Sequence, residues 1–265
     1  MKRKLFLLVS VLLIALLATT PALAITFGQL DGDKHPNVGA LLVAWPYPDG
    51  PVDIVCSGTL ISPTVFLTAA HCVNWMPEAG IDPHDVYVSF DSVFQIGVSP
   101  AYRGTYHINP NYGHDSSDPH DIAVVVLDTP ITDITPAALP PADLLDEMKA
   151  NGALKNQTFV AVGYGTVRDD KTGGPHPLYW EGARRYVSGT YNALTNAWLK
   201  LSMNPSTGDG GTCYGDSGGP HFLGDTNMVV ALTVTGDMNC RATDVDYRTD
   251  TESARAYLAQ FVQLP

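Results

Sequence analysis

Short apolar runs separated by turn-forming residues recur along the whole chain of 265 residues. Gly, Pro, Asn and Asp stand between these runs, and each favours a turn for its own conformational reason. Many short strands with frequent turns are typical of an all-β sandwich or barrel. The predicted strands are Val38–Ala44, Val65–Ala69, Val86–Phe90, Ile122–Leu127, Thr158–Val162, Leu199–Met203 and Met228–Val234.

Two other stretches predict helices. Leu144–Ala150 can form a short helix after Pro136–Asp143, a proline-rich segment that we interpret as a linker between two halves of the protein. Glu252–Val262 has apolar residues at helical spacing, and the hydroxyl of Thr251 is suited to cap its first turn. The sequence therefore predicts β structure on both sides of a linker, followed by a C-terminal helix.

The N-terminus has the pattern of a secretion signal. Basic residues occupy positions 2–4 and precede an apolar run, Leu5–Ala18, that is short for a membrane span. Small residues at Ala22 and Ala24 match the cleavage pattern, so residues 1–24 are predicted to be removed and the protein to be secreted. An uncleaved N-terminal anchor is the alternative.

The predicted mature chain is strongly acidic. Since positions 2–4 are basic and the signal holds no acidic residue, 12 basic residues remain against 27 acidic ones, a net charge of −15. Such a charge argues against nucleic acid or an anionic membrane as a partner. It favours solubility outside the cell and attraction for basic substrates.

The segment Gly215–Pro220, Gly-Asp-Ser-Gly-Gly-Pro, indicates a nucleophilic serine as well as a turn. A serine hydroxyl is a poor nucleophile unless a neighbouring base accepts its proton. Glycines on both sides of Ser217 allow a sharp turn that presents backbone N–H groups to an incoming carbonyl oxygen. A histidine and an aspartate lie upstream, in Leu67–Cys72 (Leu-Thr-Ala-Ala-His-Cys) and in His120–Leu127, where His-Asp precedes an apolar strand.

These motifs, in the chain order His71, Asp121 and Ser217, resemble those of the trypsin/chymotrypsin-like serine proteases, and the resemblance covers nearly the whole mature chain. Subtilisin-like and α/β-hydrolase enzymes use the same residue types in other orders. The resemblance implies two packed antiparallel six-stranded β-barrels with a C-terminal α-helix. The first would span 25–139 and the second 140–265, with the cleft between them.

The resemblance also implies the role of each residue. Ser217 would attack the scissile carbonyl, His71 would accept and return its proton, and Asp121 would orient the imidazole and stabilise its charged form. The N–H groups of Gly215 and Ser217 would form the oxyanion hole. His120 is interpreted as a neighbour without a catalytic role. No cofactor or metal is expected; the expected partners are protein or peptide substrates and protein inhibitors, and the expected state is a monomer.

Four cysteines follow the predicted signal, and an even number in an exported protein predicts disulfides. The sequence alone leaves the pairing open. The resemblance implies Cys56–Cys72, which would close the loop of His71, and Cys213–Cys240, which would join the serine loop to a wall of the pocket. A zinc site is the competing interpretation, although the cysteine spacing lacks the close pairs typical of zinc.

Activation by a new N-terminus is a further implication. In this family the terminal amino group folds inward and pairs with the aspartate before the catalytic serine, here Asp216. Ile25-Thr26-Phe27-Gly28 follows directly after the predicted signal, so signal cleavage itself would create the activating terminus. Phe27 stands where the family prefers glycine. A signal directly before the catalytic domain suggests a bacterial exported enzyme.

The resemblance places the base of the specificity pocket at Gly211 and Thr212, so the aspartate that gives trypsin its preference for Lys and Arg is absent there. The opposite wall would be Val234-Thr235-Gly236. Gly236 would leave the mouth open to a large side chain, whereas Val234 and Thr235 depart from the usual Ser-Trp.

The return strand of the pocket leaves two possibilities open. If Val245 points into the pocket, the pocket is apolar and takes uncharged side chains at P1, the residue before the cut; this is the favoured expectation. If Asp244 or Asp246 points in, a preference for Lys or Arg returns through a different carboxylate.

Three rival interpretations come from other classes. A non-catalytic homologue would use the fold for binding, but such proteins usually lose a triad member and none is lost here. An esterase or other acyl transferase would use the same constellation, although Gly215–Gly219 fits the α/β-hydrolase elbow only loosely. A calcium-dependent protease would bind Ca²⁺ through acidic loops such as Asp115–Asp121, but no EF-hand spacing is present.

Overall fold

A computed structural model describes residues 25–44, 52–113, 117–168 and 178–265. Within these ranges the chain is built almost entirely of antiparallel strands with two short α-helices. The strands are β1 (Gln29–Leu30), β2 (Val38–Ala44), β3 (Val52–Ser62), β4 (Val65–Thr68), β5 (Val86–Ser89), β6 (Tyr102–Ile108), β7 (Ala123–Leu127), β8 (Thr158–Gly163), β9 (Arg185–Leu194), β10 (Trp198–Ser202), β11 (Pro220–Leu223), β12 (Val229–Gly236) and β13 (Thr243–Arg248). The helices are α1 (Leu144–Ala150) and α2 (Glu252–Leu258).

The first barrel closes in the order β2-β3-β4-β7-β6-β5. Its strands are short and rich in branched apolar residues, which suit a pleated surface that is buried on one face. β4 is buried at all of its positions and pairs with β3 and β7. Leu41, Phe66 and Val125 belong to the apolar cluster that fills this barrel.

The second barrel contains β8 to β13 and is closed by the pairing of β8 with β9. Phe159, Leu199 and Val230 belong to its apolar cluster. β1 adds to its edge, where Gln29 pairs with Tyr186. The first residues of the described chain therefore lie on the second barrel, although the sequence boundary assigned them to the first.

Several strands have no counterpart among the sequence predictions, and β9 shows why. Its buried positions alternate from Arg185 to Gly189, but only Val187 among them is apolar, so the sequence shows no alternating apolar pattern. Its pairing with β10 also shifts register between Lys200 and Leu201. A strand that depends on such long-range pairing leaves a weak local signal.

Both predicted helices are present. α1 has the predicted bounds, whereas α2 ends at Leu258, four residues before the predicted end. The side chain of Thr251 accepts a hydrogen bond from Ala254 N at 3.2 Å, so the predicted N-cap is confirmed.

A buried arginine joins the two barrels. Arg184 is 1% exposed, and its guanidinium donates to Asp31 at 2.8 Å and to the carbonyl oxygen of Val38 at 2.9 Å. It also donates to the hydroxyl of Tyr164 at 3.2 Å. Removing one partner of a buried ion pair typically costs about 3–5 kcal/mol, so Arg184 fixes how the barrels meet.

The predicted signal, residues 1–24, lies outside the described residues. Among those that are described, no helix has the length and apolar character that crossing a bilayer requires.

Candidate active site

His71 and Asp121 meet where the end of β4 pairs with the start of β7. His71 lies in a 3-10 turn, Ala70–Cys72, which follows β4. Its backbone N–H donates to Asp121 Oδ1 at 2.9 Å, and its ring Nδ1 lies 2.9 Å from Asp121 Oδ2. The aspartate side chain is 5% exposed and the histidine side chain 30%. With Nδ1–H donated to the carboxylate, Nε2 carries the lone pair of a neutral imidazole and can act as a base.

Ser217 lies on a tight loop between Cys213 and β11. Gly215 and Gly218 on either side of it have φ angles of +95° and +76°, a left-handed region that favours glycine. A Cβ built on Gly218 would also lie 2.2 Å from Thr68 Oγ1, so this position has no room for a side chain. The glycines therefore let the loop pack directly against the end of β4.

Ser57 holds the serine loop in place. Its hydroxyl donates to Gly215 O at 3.0 Å and accepts from Tyr164 N at 2.9 Å, and its own N–H donates to Ser217 O at 2.9 Å. In the part of the chain that the structure describes, no hydrogen bond uses the N–H of Gly215 or Ser217. Both N–H groups remain available to an oxyanion.

The three predicted triad residues are not all joined by hydrogen bonds. His71 and Asp121 are joined, whereas the bonds of the described residues include none between Ser217 Oγ and His71 Nε2. Such catalytic bonds are often long in a free enzyme and tighten when substrate arrives.

Asp216 is fully buried beneath the serine loop. Its two carboxylate oxygens accept from Gly165 N at 2.7 Å and from Cys213 N at 2.9 Å. Burial raises the pKa of Asp216 to about 7, because these backbone donors offset only part of the lost hydration. A cation next to this carboxylate would therefore be strongly favoured.

The predicted new terminus lies inside the second barrel. Ile25 is 1% exposed and packs with Ala161 and Val187. Thr26 pairs with Gly211, and its hydroxyl donates to Gly211 O at 2.9 Å. Phe27, which replaces the family's glycine, has a φ of +72°, so the left-handed backbone expected of a glycine is present without one.

A cavity of about 190 Å³ opens beside Ser217. Apolar side chains, the Cys213–Cys240 disulfide and several threonines form its walls. The lining residues are Thr212, Cys213, Tyr214, Ser217, Thr233, Val234, Thr235, Gly236, Asp237, Met238 and Cys240. Four of the predicted pocket residues, Thr212, Val234, Thr235 and Gly236, are among them.

The other two predicted pocket residues lie elsewhere. Val245 lines a separate surface hollow with Trp198 and Lys200, so the expectation that it points into the pocket is wrong. Its place on β13 explains this, since successive side chains of a strand point to opposite faces. Gly211 lies behind the cavity, where a Cβ would meet Met203 at 2.2 Å and Asp244 Oδ2 at 3.0 Å.

Asp244, the neighbour of Val245 on the opposite face of β13, lies beneath the cavity. It is 1% exposed, and its carboxylate accepts from the hydroxyl and the N–H of Thr212 at 2.6 and 3.0 Å. Thr212 thus stands between this carboxylate and the cavity.

Asp246 points to the same interior and meets His221. His221 Nε2 lies 2.8 Å from Asp246 Oδ1 and 3.1 Å from the hydroxyl of Thr233, a lining residue of the cavity. Burial raises the pKa of Asp246 to about 8. Burial alone would lower the pKa of His221, but the adjacent carboxylates raise it. The proximity of these buried groups thus favours the charged form of His221 and burial the neutral form of Asp246.

The four cysteines form Cys56–Cys72 and Cys213–Cys240, the pairs that the resemblance implied. They leave no thiolate for zinc. The first bridge ties Ser57, through its neighbour Cys56, to the turn of His71.

The acidic loop considered for calcium is partly outside the described residues. Of its carboxylates, Asp118 accepts from the hydroxyl of Tyr247 at 3.0 Å and Asp121 accepts from His71. Both are engaged within the protein.

The trypsin family model matches residues 36–256, which is most of the chain. The chain therefore belongs to the trypsin family, the class of serine proteases that the two barrels and the His71–Asp121 pair indicate.

Proposed function

We propose that the protein is a secreted serine endopeptidase that cuts peptide bonds through an acyl-enzyme intermediate. The observation that carries this proposal is the buried Asp121 carboxylate, which binds His71 through both its ring and its backbone N–H. The serine loop supplies the nucleophile, Ser217, and the available N–H groups of Gly215 and Ser217 that would bind the oxyanion.

In the proposed reaction, Ser217 Oγ attacks the scissile carbonyl carbon while His71 Nε2 takes the hydroxyl proton. Asp121 stabilises the resulting imidazolium. The carbonyl oxygen becomes an oxyanion that accepts from the N–H groups of Gly215 and Ser217. His71 then protonates the leaving amine, and water, activated by the same imidazole, hydrolyses the acyl-enzyme.

We further propose an uncharged P1 side chain. Val234, Met238 and the Cys213–Cys240 disulfide give the cavity apolar walls. The carboxylate of the lining residue Asp237 already accepts from the backbone N–H groups of residues 241–243. The hydroxyl and N–H of Thr212 already occupy the Asp244 carboxylate below it. A lysine in this cavity would lose hydration without direct access to that carboxylate.

A preference for Lys or Arg is the second candidate, and the nearness of the buried Asp244 carboxylate, directly behind Thr212, favours it. A P1 ammonium bound to the Thr212 hydroxyl would lie close to the Asp244 charge. In this alternative, rotation of Thr212 would give the substrate direct access to the carboxylate.

Peptides that differ only at P1 separate the two candidates. Norleucine and lysine have the same unbranched carbon chain, so their comparison isolates the charge. We expect kcat/KM for norleucine to exceed that for lysine by at least about tenfold, with glutamate the poorest. Preferred cleavage after lysine that is lost in Asp244→Asn would establish the second candidate instead, and no cleavage of any peptide would contradict the endopeptidase.

A further inference from the structure

We propose that a ring of four side chains positions Asp121 against His71 and so contributes to the rate of the reaction. The ring consists of Asp118, His120, Tyr247 and Ser253. This inference rests on the proposed function, since it assigns positioning residues to the same site. It differs from the sequence interpretation, in which His120 was a neighbour without a role.

The turn that presents Asp121 needs support from outside. His120 has a φ of +52°, a left-handed conformation that is costly for a residue other than glycine. Ile122 N donates to His120 O at 2.8 Å, which puts Asp121 at the apex of a three-residue turn. A small change in the backbone of His120 would therefore swing the Asp121 carboxylate away from His71.

Hydrogen bonds hold His120 on two sides. Its ring Nδ1 lies 2.7 Å from the hydroxyl of Ser253, and its backbone N–H donates to Asp118 Oδ1 at 3.2 Å. Tyr247 closes the ring, since its hydroxyl donates to the same Asp118 oxygen at 3.0 Å and lies 3.5 Å from Ser253 Oγ.

Two members of the ring come from β13 of the second barrel and from the C-terminal helix α2. Tyr247 lies in β13, is fully buried and packs edge-on against Trp198. Burial raises the pKa of Tyr247, so its hydroxyl stays protonated and can donate. Ser253 lies in the first turn of α2, next to the Thr251 cap.

The consequence is a link across the cleft. Asp121 belongs to the first barrel and Ser217 to the second, yet the reaction needs His71 between them at a fixed distance. Through the ring, β13 of the second barrel and the C-terminal helix α2, which also contacts β6 of the first barrel, set the position of the aspartate turn.

Tyr247→Phe and Ser253→Ala test this proposal. Each removes one hydroxyl from the ring and leaves the triad intact. We expect kcat to fall on the order of tenfold with KM unchanged, because the ring affects orientation and not substrate binding. The acid limb of the pH profile should also move to lower pH, since a displaced Asp121 stabilises the His71 imidazolium less. Ser253→Thr, which keeps the hydroxyl, should restore most of the rate.

Tyr257→Phe is the matched control. Tyr257 is also buried, and its hydroxyl donates to His107 O at 2.6 Å and contacts the backbone of Val124 in β7, beyond the turn of His120–Ile122. Among the described residues, no hydrogen bond joins it to a member of the ring. We expect this variant to lower Tm while kcat and the pH profile stay those of the wild type. If Tyr247→Phe and Ser253→Ala behave like this control, the ring is only structural and the proposal is wrong. An inactive wild-type protein would contradict the proposed function and this inference together.

Discussion

Asp121→Asn is expected to lower kcat/KM by about 10⁴-fold, the loss typical of this substitution in a Ser-His-Asp triad. An asparagine has nearly the same shape, so the fold should persist. Its amide cannot carry the negative charge that now accepts from His71 Nδ1 at 2.9 Å. The imidazole would therefore adopt the wrong tautomer, and Nε2 would no longer accept the Ser217 proton. Peptide hydrolysis at neutral pH measures the loss.

Asp128→Asn is the control for this variant. Asp128 also pairs with a histidine, His84, at 2.9 Å, but both side chains are nearly half exposed. This substitution makes the same chemical change far from the cleft and should leave kcat/KM within about twofold of the wild type, as surface pairs contribute little. An equal loss in both variants, or activity retained in Asp121→Asn, would contradict the proposed role of Asp121.

One extra residue ahead of Ile25 is expected to abolish activity. The position of Ile25 is buried, and Thr26 pairs directly with Gly211 behind the specificity pocket. A free amino group at Ile25 would supply the cation that the buried Asp216 carboxylate favours, whereas a peptide nitrogen supplies none. Without that pairing the loop of Gly215 would lose its order. Hydrolysis by chains beginning at Ile25 and at the preceding residue measures the effect.

A removable extension makes the same test reversible. A recognition sequence that ends just before Ile25 allows a second protease to expose the terminus in the folded protein. Activity should appear on cleavage and should be absent in Asp216→Asn, which lacks the charge to pair with the amino group. Full activity before cleavage would contradict this activation.

The candidate triad could be proposed from sequence because each member lies in a local motif. The positive φ angles of Gly215 and Gly218 and the close contact of Gly218 with Thr68 require glycine at these positions. The glycines are therefore visible in the sequence as part of the motif. The fold class was also predictable, since short apolar runs between turns are a local property. α1 and the Thr251 cap followed from local preferences in the same way.

The residues that support the site could not be predicted, because their partners are distant in the chain. Ser57 meets Gly215 158 positions away, and His120 meets Ser253 133 positions away. Neither residue belongs to a motif that indicates such a partner. The only signal was adjacency, since Ser57 follows Cys56 and His120 precedes Asp121.

The residues that line the pocket could not be predicted for the same reason, because strand pairing decides which side chains face it. One position of register on β13 decides whether Val245 or its neighbours face the cavity side. The cross-strand pairs of Val245 with Lys200 and Thr235 fix that register, and nothing within the strand sequence does.

The central claim is that Ser217 is an activated nucleophile. Labelling of the purified chain beginning at Ile25 with a fluorophosphonate probe tests this most directly, with Ser217→Ala alongside. We expect close to one label per chain, located by mass spectrometry on the peptide that contains Ser217 and absent from the variant. The claim would be contradicted if the folded protein, with both disulfides formed, took up no label. It would also be contradicted if Ser217→Ala took up as much label as the wild type.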